Sequence, residues 1–362
     1  MKKHLLPLLF TFASLQLFSQ NGLEDIIVEK YYISDANDAS VNDVGGVLPP
    51  SSTTYRIYVD MLPGYFLQAI YGVPAHELRI ETTTLFFNNE DRGAATPAFS
   101  KNQANNNTVM LDSWISVGAA CTGNFGVLKS EDDGAATLVN PDGVLQNTNA
   151  SAGIPLTEQD GFLLGTPQPI TTLGIDAQLL VFDNQNDGTN GPLFSTFDGT
   201  WAALSGATGP TASNRVLIAQ ITTDGILSFK LNVQIGIPEQ GIVERYVAEN
   251  PDTNAGEIQY DLLSFISDDP TKAHFLNTTE QFFTIYPNPA DQTISLKTET
   301  PVKTSARYSV YNLTGQLVAV KTIHSLTGAQ TEQLDISALS KGEYIVEMIF
   351  DGKRSTQKFV RK

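Results

Sequence analysis

The chain has 362 residues, with 22 Lys+Arg against 39 Asp+Glu and a formal net charge of −17. At roughly 150 residues per domain this length predicts about two domains, and 41% apolar residues with 28 glycines exclude a disordered acidic tail. The acid excess argues against nucleic acid and anionic lipid as partners, and a single cysteine excludes a disulfide framework or a thiolate zinc site.

Residues 1–19 divide into a cationic start (Lys2, Lys3, His4), an apolar run over residues 5–18, and Ser19. This pattern predicts a Sec-type signal peptide. The run is shorter than the roughly 20 residues a membrane helix needs, and no later stretch reaches that length, so no transmembrane segment is expected. Charge then splits the remainder. Residues 20–280 hold 10 Lys+Arg against 32 Asp+Glu, net −22, whereas residues 281–362 hold 10 against 7, net +3. Such asymmetry predicts two modules: an acidic body over 20–266 and, after a polar linker at 267–282, a second unit over 283–362.

Two-residue alternation dominates the body. Tyr55, Ile57, Val59 and Met61 lie on one side of a strand, Arg56, Tyr58 and Asp60 on the other, and Leu78 and Ile80 alternate with Arg79 and Glu81. Leu217, Ala219 and Ile221 precede Asp224-Gly225, after which Leu227, Phe229, Leu231, Val233 and Ile235 alternate with Ser228, Lys230, Asn232 and Gln234. Asp-Gly between alternating runs predicts a tight hairpin with one buried face, and Asp351-Gly352 predicts another between residues 344–350 and 353–360. The fold class is therefore all-β: a body of one or two β-sandwiches followed by a smaller C-terminal sandwich. Residues 85–93 (LFFNNEDRG) and 180–188 (LVFDNQNDG) echo each other, each ahead of a tryptophan, Trp114 or Trp201.

Candidate chemistry in the body is sparse. His76, its sole histidine outside the linker region, follows Pro74-Ala75 and is expected in a solvated loop; no G-x-S-x-G elbow or His-pair spacing accompanies it. Cys121, among small and apolar neighbours, reads as core. No pair among the many carboxylates is marked for glycoside hydrolysis, so no catalytic residue is assigned. Asp183, Gln185 and Asp187, spaced ahead of Gly188, resemble half of a calcium loop, although Phe194 stands where a closing glutamate belongs. The clusters Asp35, Asn37, Asp38, Asn42, Asp43 and Glu131-Asp132-Asp133-Gly134 read as solvated acidic turns. Trp114 and Trp201 are candidates for a ligand-stacking platform, with plugs in a sandwich core as the alternative.

The last 80 residues carry the most specific pattern. Tyr286-Pro287-Asn288-Pro289-Ala290 opens the unit, and a strand runs through Tyr311-Asn312 to a turn at Gly315. Residues 334–346 read LDISALSKGEYIV and contain Gly342 and Tyr344; Lys358 to Lys362 form a basic end. In that order these blocks resemble the type A C-terminal sorting domain of cargo of the type IX secretion system of Bacteroidetes. The resemblance implies an Ig-like β-sandwich recognised by the outer-membrane translocon and sorting machinery. It further implies surface or extracellular delivery after Sec export, and removal of the tail. The motif positions that carry it are Tyr286, Pro287, Asn288, Pro289, Tyr311, Asn312, Gly315, Gly342, Tyr344, Lys358 and Lys362. Residues 55–118, together with the stretches at 220–225 and 231–235, also resemble exported bacterial proteins of unassigned role; Ile70-Tyr71-Gly72 and Asp112-Ser113-Trp114 belong to that likeness. The body thus reads as a non-catalytic binding or adhesion module, calcium-stabilised, with a surface glycan or protein as ligand. A carbohydrate-active enzyme or glycan-binding accessory is the alternative.

Overall fold

The computed structural model describes residues 21–41, 44–135, 137–138, 143–183, 188–238, 241–267, 283–312, 317–350 and 353–362. The architecture is all-β, with two short helices among the described residues. Strands are numbered in chain order. At the centre of the body, β2 (Thr53–Met61) lies between β1 (Leu23–Ile33) and β12 (Arg215–Thr223), and β12 takes the short β5 (Trp114–Ile115) on its far side, all antiparallel.

The alternation in β2 predicts one apolar and one polar face, yet both are buried. Tyr55, Ile57, Val59 and Met61 enter the main core with Val216, Ile218 and Ile221. On the other side Tyr58 and Leu217 join a second cluster with Tyr31, Tyr32 and Trp114. Arg56 lies wholly inside that layer. Burying a cation costs several kcal/mol unless it is compensated; here its guanidinium lies 3.5 Å from the Tyr31 ring centroid. Its Nε donates to Gln220 Oε1 at 2.9 Å and Nη1 to the Gly161 carbonyl at 3.1 Å.

Two further sheets close the main core. One has the order β10 (Leu193–Thr196), β4 (Leu78–Thr82), β13 (Leu227–Lys230), β17 (Ser264–Ile266). The six-stranded one has the order β16 (Glu257–Gln259), β15 (Val243–Val247), β14 (Asn232–Gly236), β3 (Phe66–Tyr71), β11 (Thr200–Ala207), β9 (Thr171–Leu173). Leu67, Ile70, Ile80, Phe194, Trp201, Phe229 and Val233 from these sheets share one apolar cluster with β2 and β12, so one continuous core spans the body. The second face of β2 and β12 is covered by loop segments and by a small sheet of β6 (Ala119–Cys121), β7 (Asn124–Gly126) and β8 (Phe162–Leu164).

The hairpin expected at Asp224-Gly225 does not form. β12 and β13 belong to different sheets, and the alternating run beyond the turn breaks at Leu231 into β13 and β14, again in different sheets. The dipeptide is recruited by another element: Asp224 accepts from the Thr84 hydroxyl at 2.6 Å, and Thr82 and Thr223 hydroxyls meet at 2.6 Å. Gly225 serves close approach here. A Cβ on it would lie 2.5 Å from Thr84 Oγ1 and 2.7 Å from Thr82 Oγ1. These threonines at the end of β4 capture the turn, and β13 accordingly pairs with β4.

Acidic loops that read as solvated turns are folded inward. Asp38 is buried, and its carboxylate accepts from the Tyr32 hydroxyl and from the backbone amides of Asp35 and Leu145. Asp132 accepts from the Gly161 amide at 2.7 Å. Asp112, fully buried, accepts from the amides of Asn89 and Ala94 at 2.8 and 3.0 Å, cinching the loop of the first echo segment. The two echo segments also meet: Phe86 and Phe182 rings are 5.0 Å apart, and Asn88 donates to the Val181 carbonyl at 2.8 Å.

The C-terminal unit is a second β structure with its own core. β18 (Phe283–Tyr286), β19 (Thr293–Asn312), β21 (Gly342–Phe350) and β22 (Lys353–Arg361) form the path, and β20 (Leu317–Asp335) pairs along β19. The register of β19 shifts between Thr300 and Ala306. Residues of both its halves, Ile294 and Leu296 with Tyr308 and Val310, share one cluster with Phe283, Val346 and Phe359. β21 and β22 pair from Gly342↔Arg361 to Phe350↔Lys353, as expected for a hairpin about residues 351–352, which lie outside the described residues.

Candidate functional site

The described body presents a shallow hollow of about 330 Å³ on the outer face of the six-stranded sheet, lined by Ala69, Tyr71, Val73, Asp198, Thr200 and Gln234 among others. Strand register explains the convergence. Tyr71 stands opposite Thr200, and Ala69 lies between Ala202 and Gln234 on its two neighbours, so these side chains share the face opposite the core row Ile70, Trp201 and Val233. Ala69, Gly72 and Gly199 keep the floor low.

Hydrogen bonds brace the rim. The Gly72 amide donates to the Gly199 carbonyl at 2.8 Å, joining the two turns on either side of the hollow. The glycines permit this approach, since a Cβ at Gly72 would lie 2.3 Å from the Thr196 carbonyl oxygen and one at Gly199 2.4 Å from Ile175 Cγ2. The Asn232 side-chain amide donates to the Tyr71 carbonyl at 3.0 Å, and the Thr200 hydroxyl donates to the Ile70 carbonyl at 2.7 Å. Val73 and His76 exchange backbone hydrogen bonds at 3.0 and 2.8 Å. His76 is thus no solvated loop histidine: it is buried, and its Nε2 lies 2.8 Å from Glu257 Oε2, pinning the Val73–His76 turn to β16. The Tyr71 hydroxyl is buried and has no hydrogen-bond partner among the described residues. Burial, and then the nearby Glu257 carboxylate, push it up to about 12.

The stacking platform expected at Trp114 and Trp201 does not exist, because both indoles are 0% exposed. Trp201 donates its Nε1–H to the Ser116 carbonyl at 3.1 Å and meets Phe194 edge-on at 5.8 Å, so it plugs the sandwich. Cys121 is buried as expected, and burial raises its thiol to about 11. Of the calcium-loop candidates, Asp183 ends a 3-10 turn at residues 178–182, whereas Gln185 and Asp187 lie outside the described residues. Among the described residues no three His, Cys, Asp or Glu side chains converge as metal ligands.

In the C-terminal unit the opening and closing motifs meet. Asn288 donates its side-chain amide to the Lys358 carbonyl at 3.0 Å and accepts from the Val360 amide at 3.0 Å. Ala290 continues the zipper, donating to the Val360 carbonyl and accepting from the Lys362 amide. Pro287 and Pro289 flank Asn288 and, lacking N–H groups, leave its side chain to make these bonds. Tyr344 stacks on Phe359 at 5.4 Å and donates its hydroxyl to the Ser340 carbonyl at 2.8 Å. Asn312 pairs with Tyr344 across β19 and β21, and the Tyr311 hydroxyl donates to Glu347 at 3.3 Å. Gly342 begins β21. Tyr286, Lys358 and Lys362 remain exposed for a partner, while the Arg361 guanidinium turns back to the Ile336 carbonyl. Gly315 lies outside the described residues.

These features define an all-β protein in which an acidic body is followed by a separate C-terminal β unit with its own core. Residues 284–362 match the family model described as a secretion system C-terminal sorting domain, that of type IX secretion. The domain directs the protein to the cell surface or extracellular space and implies interaction with the type IX machinery. No curated protein matches the chain. Among solved structures, dimeric latent PorU from Porphyromonas gingivalis is similar at 10% identity and a TM-score of 0.20, over 42% of this chain and 14% of that one. A likeness that slight carries no argument about the body. Among the described residues, no helix is long and apolar enough to cross a membrane.

Proposed function

We propose that the body, residues 20–266, is a non-catalytic binding or adhesion module that the sorting domain delivers to the cell surface. The observation that carries this reading is the braced hollow on the outer sheet face. It is open, its walls are fixed by hydrogen bonds, and its volume falls at the small end of the range of ligand sites. Leu173, the cross-strand neighbour of Thr200, extends it with a side chain 70% exposed. The lining contributes one carboxylate, Asp198, whereas glycoside hydrolysis employs two about 5–10 Å apart; Glu257, beside the rim, is engaged with His76. This weighs for binding over turnover. A calcium ion held by Asp183, Gln185 and Asp187 belongs to the same proposal as a stabiliser.

Adherence of cells displaying the wild-type protein, compared with cells displaying Asp198→Asn, on surfaces coated with glycans or with matrix proteins tests the reading. Adherence to at least one coating is expected and should fall in the variant. Adherence no greater than that of cells lacking the protein, on every coating, overturns it.

A further inference from the structure

We infer that the hollow is a subsite for one neutral pyranose ring of a glycan, a deepening of the binding proposal on which it rests. Three sequence segments of no assigned role meet there: Ile70-Tyr71-Gly72, Asp198-Gly199-Thr200 and the β14 stretch containing Asn232 and Gln234. The order β14-β3-β11 brings them together, and its chemistry is that of sugar recognition. Tyr71 supplies an aromatic wall, Val73 and Pro74 an apolar rim, and the low floor admits a flat ring. A pyranose presents an apolar C–H face to an aromatic ring and hydroxyls around its edge.

The polar groups suit that edge. Asp198 is exposed; one carboxylate oxygen accepts from the Thr196 hydroxyl at 3.2 Å, and the other is available to hydroxyl donors. Gln234, which lines the hollow, donates its amide to Gln68 at 2.7 Å, so its carbonyl oxygen is not used in that bond. The lining holds a carboxylate and no cation, and residues 20–280 carry a net −22, which disfavours acidic sugars, although Arg245 stands beside Gln234 across β14 and β15. Position selects against an added peptide strand. The hollow lies on the sheet face, away from the unpaired backbone groups of an edge that such a strand requires.

The test uses the full chain on an array of neutral glycans (glucan, mannan, galactan and N-acetylglucosamine-terminated oligosaccharides) beside a panel of immobilised matrix proteins. Saturable binding to at least one neutral glycan is expected, weakened about tenfold or more by Asp198→Asn and by Gln234→Ala. Asp198 is exposed and Gln234 half-buried, so thermal melting of each variant reports any loss of fold, and little change is expected for Asp198→Asn. Tyr71→Phe should bind like wild type, because the hydroxyl is buried, whereas Tyr71→Leu should lose the stacking wall. Glycan binding indifferent to Asp198→Asn and Gln234→Ala overturns the subsite. Binding confined to the protein panel but lost in Asp198→Asn overturns the sugar assignment and leaves the binding module standing. Binding to neither panel overturns both.

Discussion

Replacing Asp60 by asparagine should flatten the pH dependence of the body's stability. Asp60 sits at the end of β2 with its side chain 10% exposed; one oxygen lies 3.0 Å from Arg215 Nε, and the other has no hydrogen-bond partner among the described residues. Burial dominates the attraction of Arg215, and Glu24 and Asp25 add repulsion, so the carboxyl is pushed up to about 7. Arg215 is shared with Glu131 at 2.8 Å, which divides its compensation. The unfolded carboxyl titrates near 4. Its folded value is raised, so the stability it contributes is fully present below about pH 4 and is lost as pH rises through about 7. A shift of about three units at 1.36 kcal/mol each corresponds to about 4 kcal/mol. Urea unfolding of wild type and Asp60→Asn at steps from about pH 4 to pH 8 reads the difference, since asparagine keeps the volume and does not titrate. The gap between the two should move by about 4 kcal/mol in favour of the variant as pH rises. Profiles that stay parallel within about 0.5 kcal/mol would refute the assignment of a perturbed carboxyl at this position.

Removal of residues 283–362 should leave the protein in the periplasm, as cell fractionation and surface labelling would show; undiminished surface delivery contradicts the sorting role. Gly225→Ala should destabilise the body by about 1–3 kcal/mol, because its Cβ would press against the Thr82 and Thr84 hydroxyls that hold the turn; calorimetry measures this. Trp201→Ala should cost about 3–5 kcal/mol by emptying a fully buried indole site, with the largest effect on melting and none specific to ligand. With calcium held at Asp183, Gln185 and Asp187, chelation should lower the melting temperature; an unchanged value removes calcium from the account.

The address was readable because it is written in contiguous blocks: Tyr286 to Ala290, and the glycine and tyrosine of residues 342–344, keep their meaning without knowledge of their neighbours. The all-β class was readable for the same reason, since alternation is local. Partner choice was not. Asp224-Gly225 carries a strong hairpin signal, yet three threonines about 140 residues earlier in the chain redirect it into another sheet. The acidic turns misled through a similar blindness. A carboxylate in a loop looks solvated in sequence, whereas Asp38 and Asp132 bury theirs against backbone amides supplied by distant segments. The hollow was hidden longest. Tyr71, Asp198 and Gln234 become neighbours only through the strand order β14-β3-β11, and no spacing in the chain encodes that order. His76 was misplaced because its partner, Glu257, lies 181 residues further on.

The zipper between Asn288, Ala290 and the last strand bears on when the address becomes valid. Val360 and Lys362 are the residues that Asn288 and Ala290 hold, so the opening motif finds its partners only once β22 has been made. A chain cut short anywhere before β22 would keep its Tyr-Pro-Asn-Pro start and still lack the structure to which that start belongs. A partner that reads the folded unit would thereby distinguish chains that carry β22 from chains that lack it.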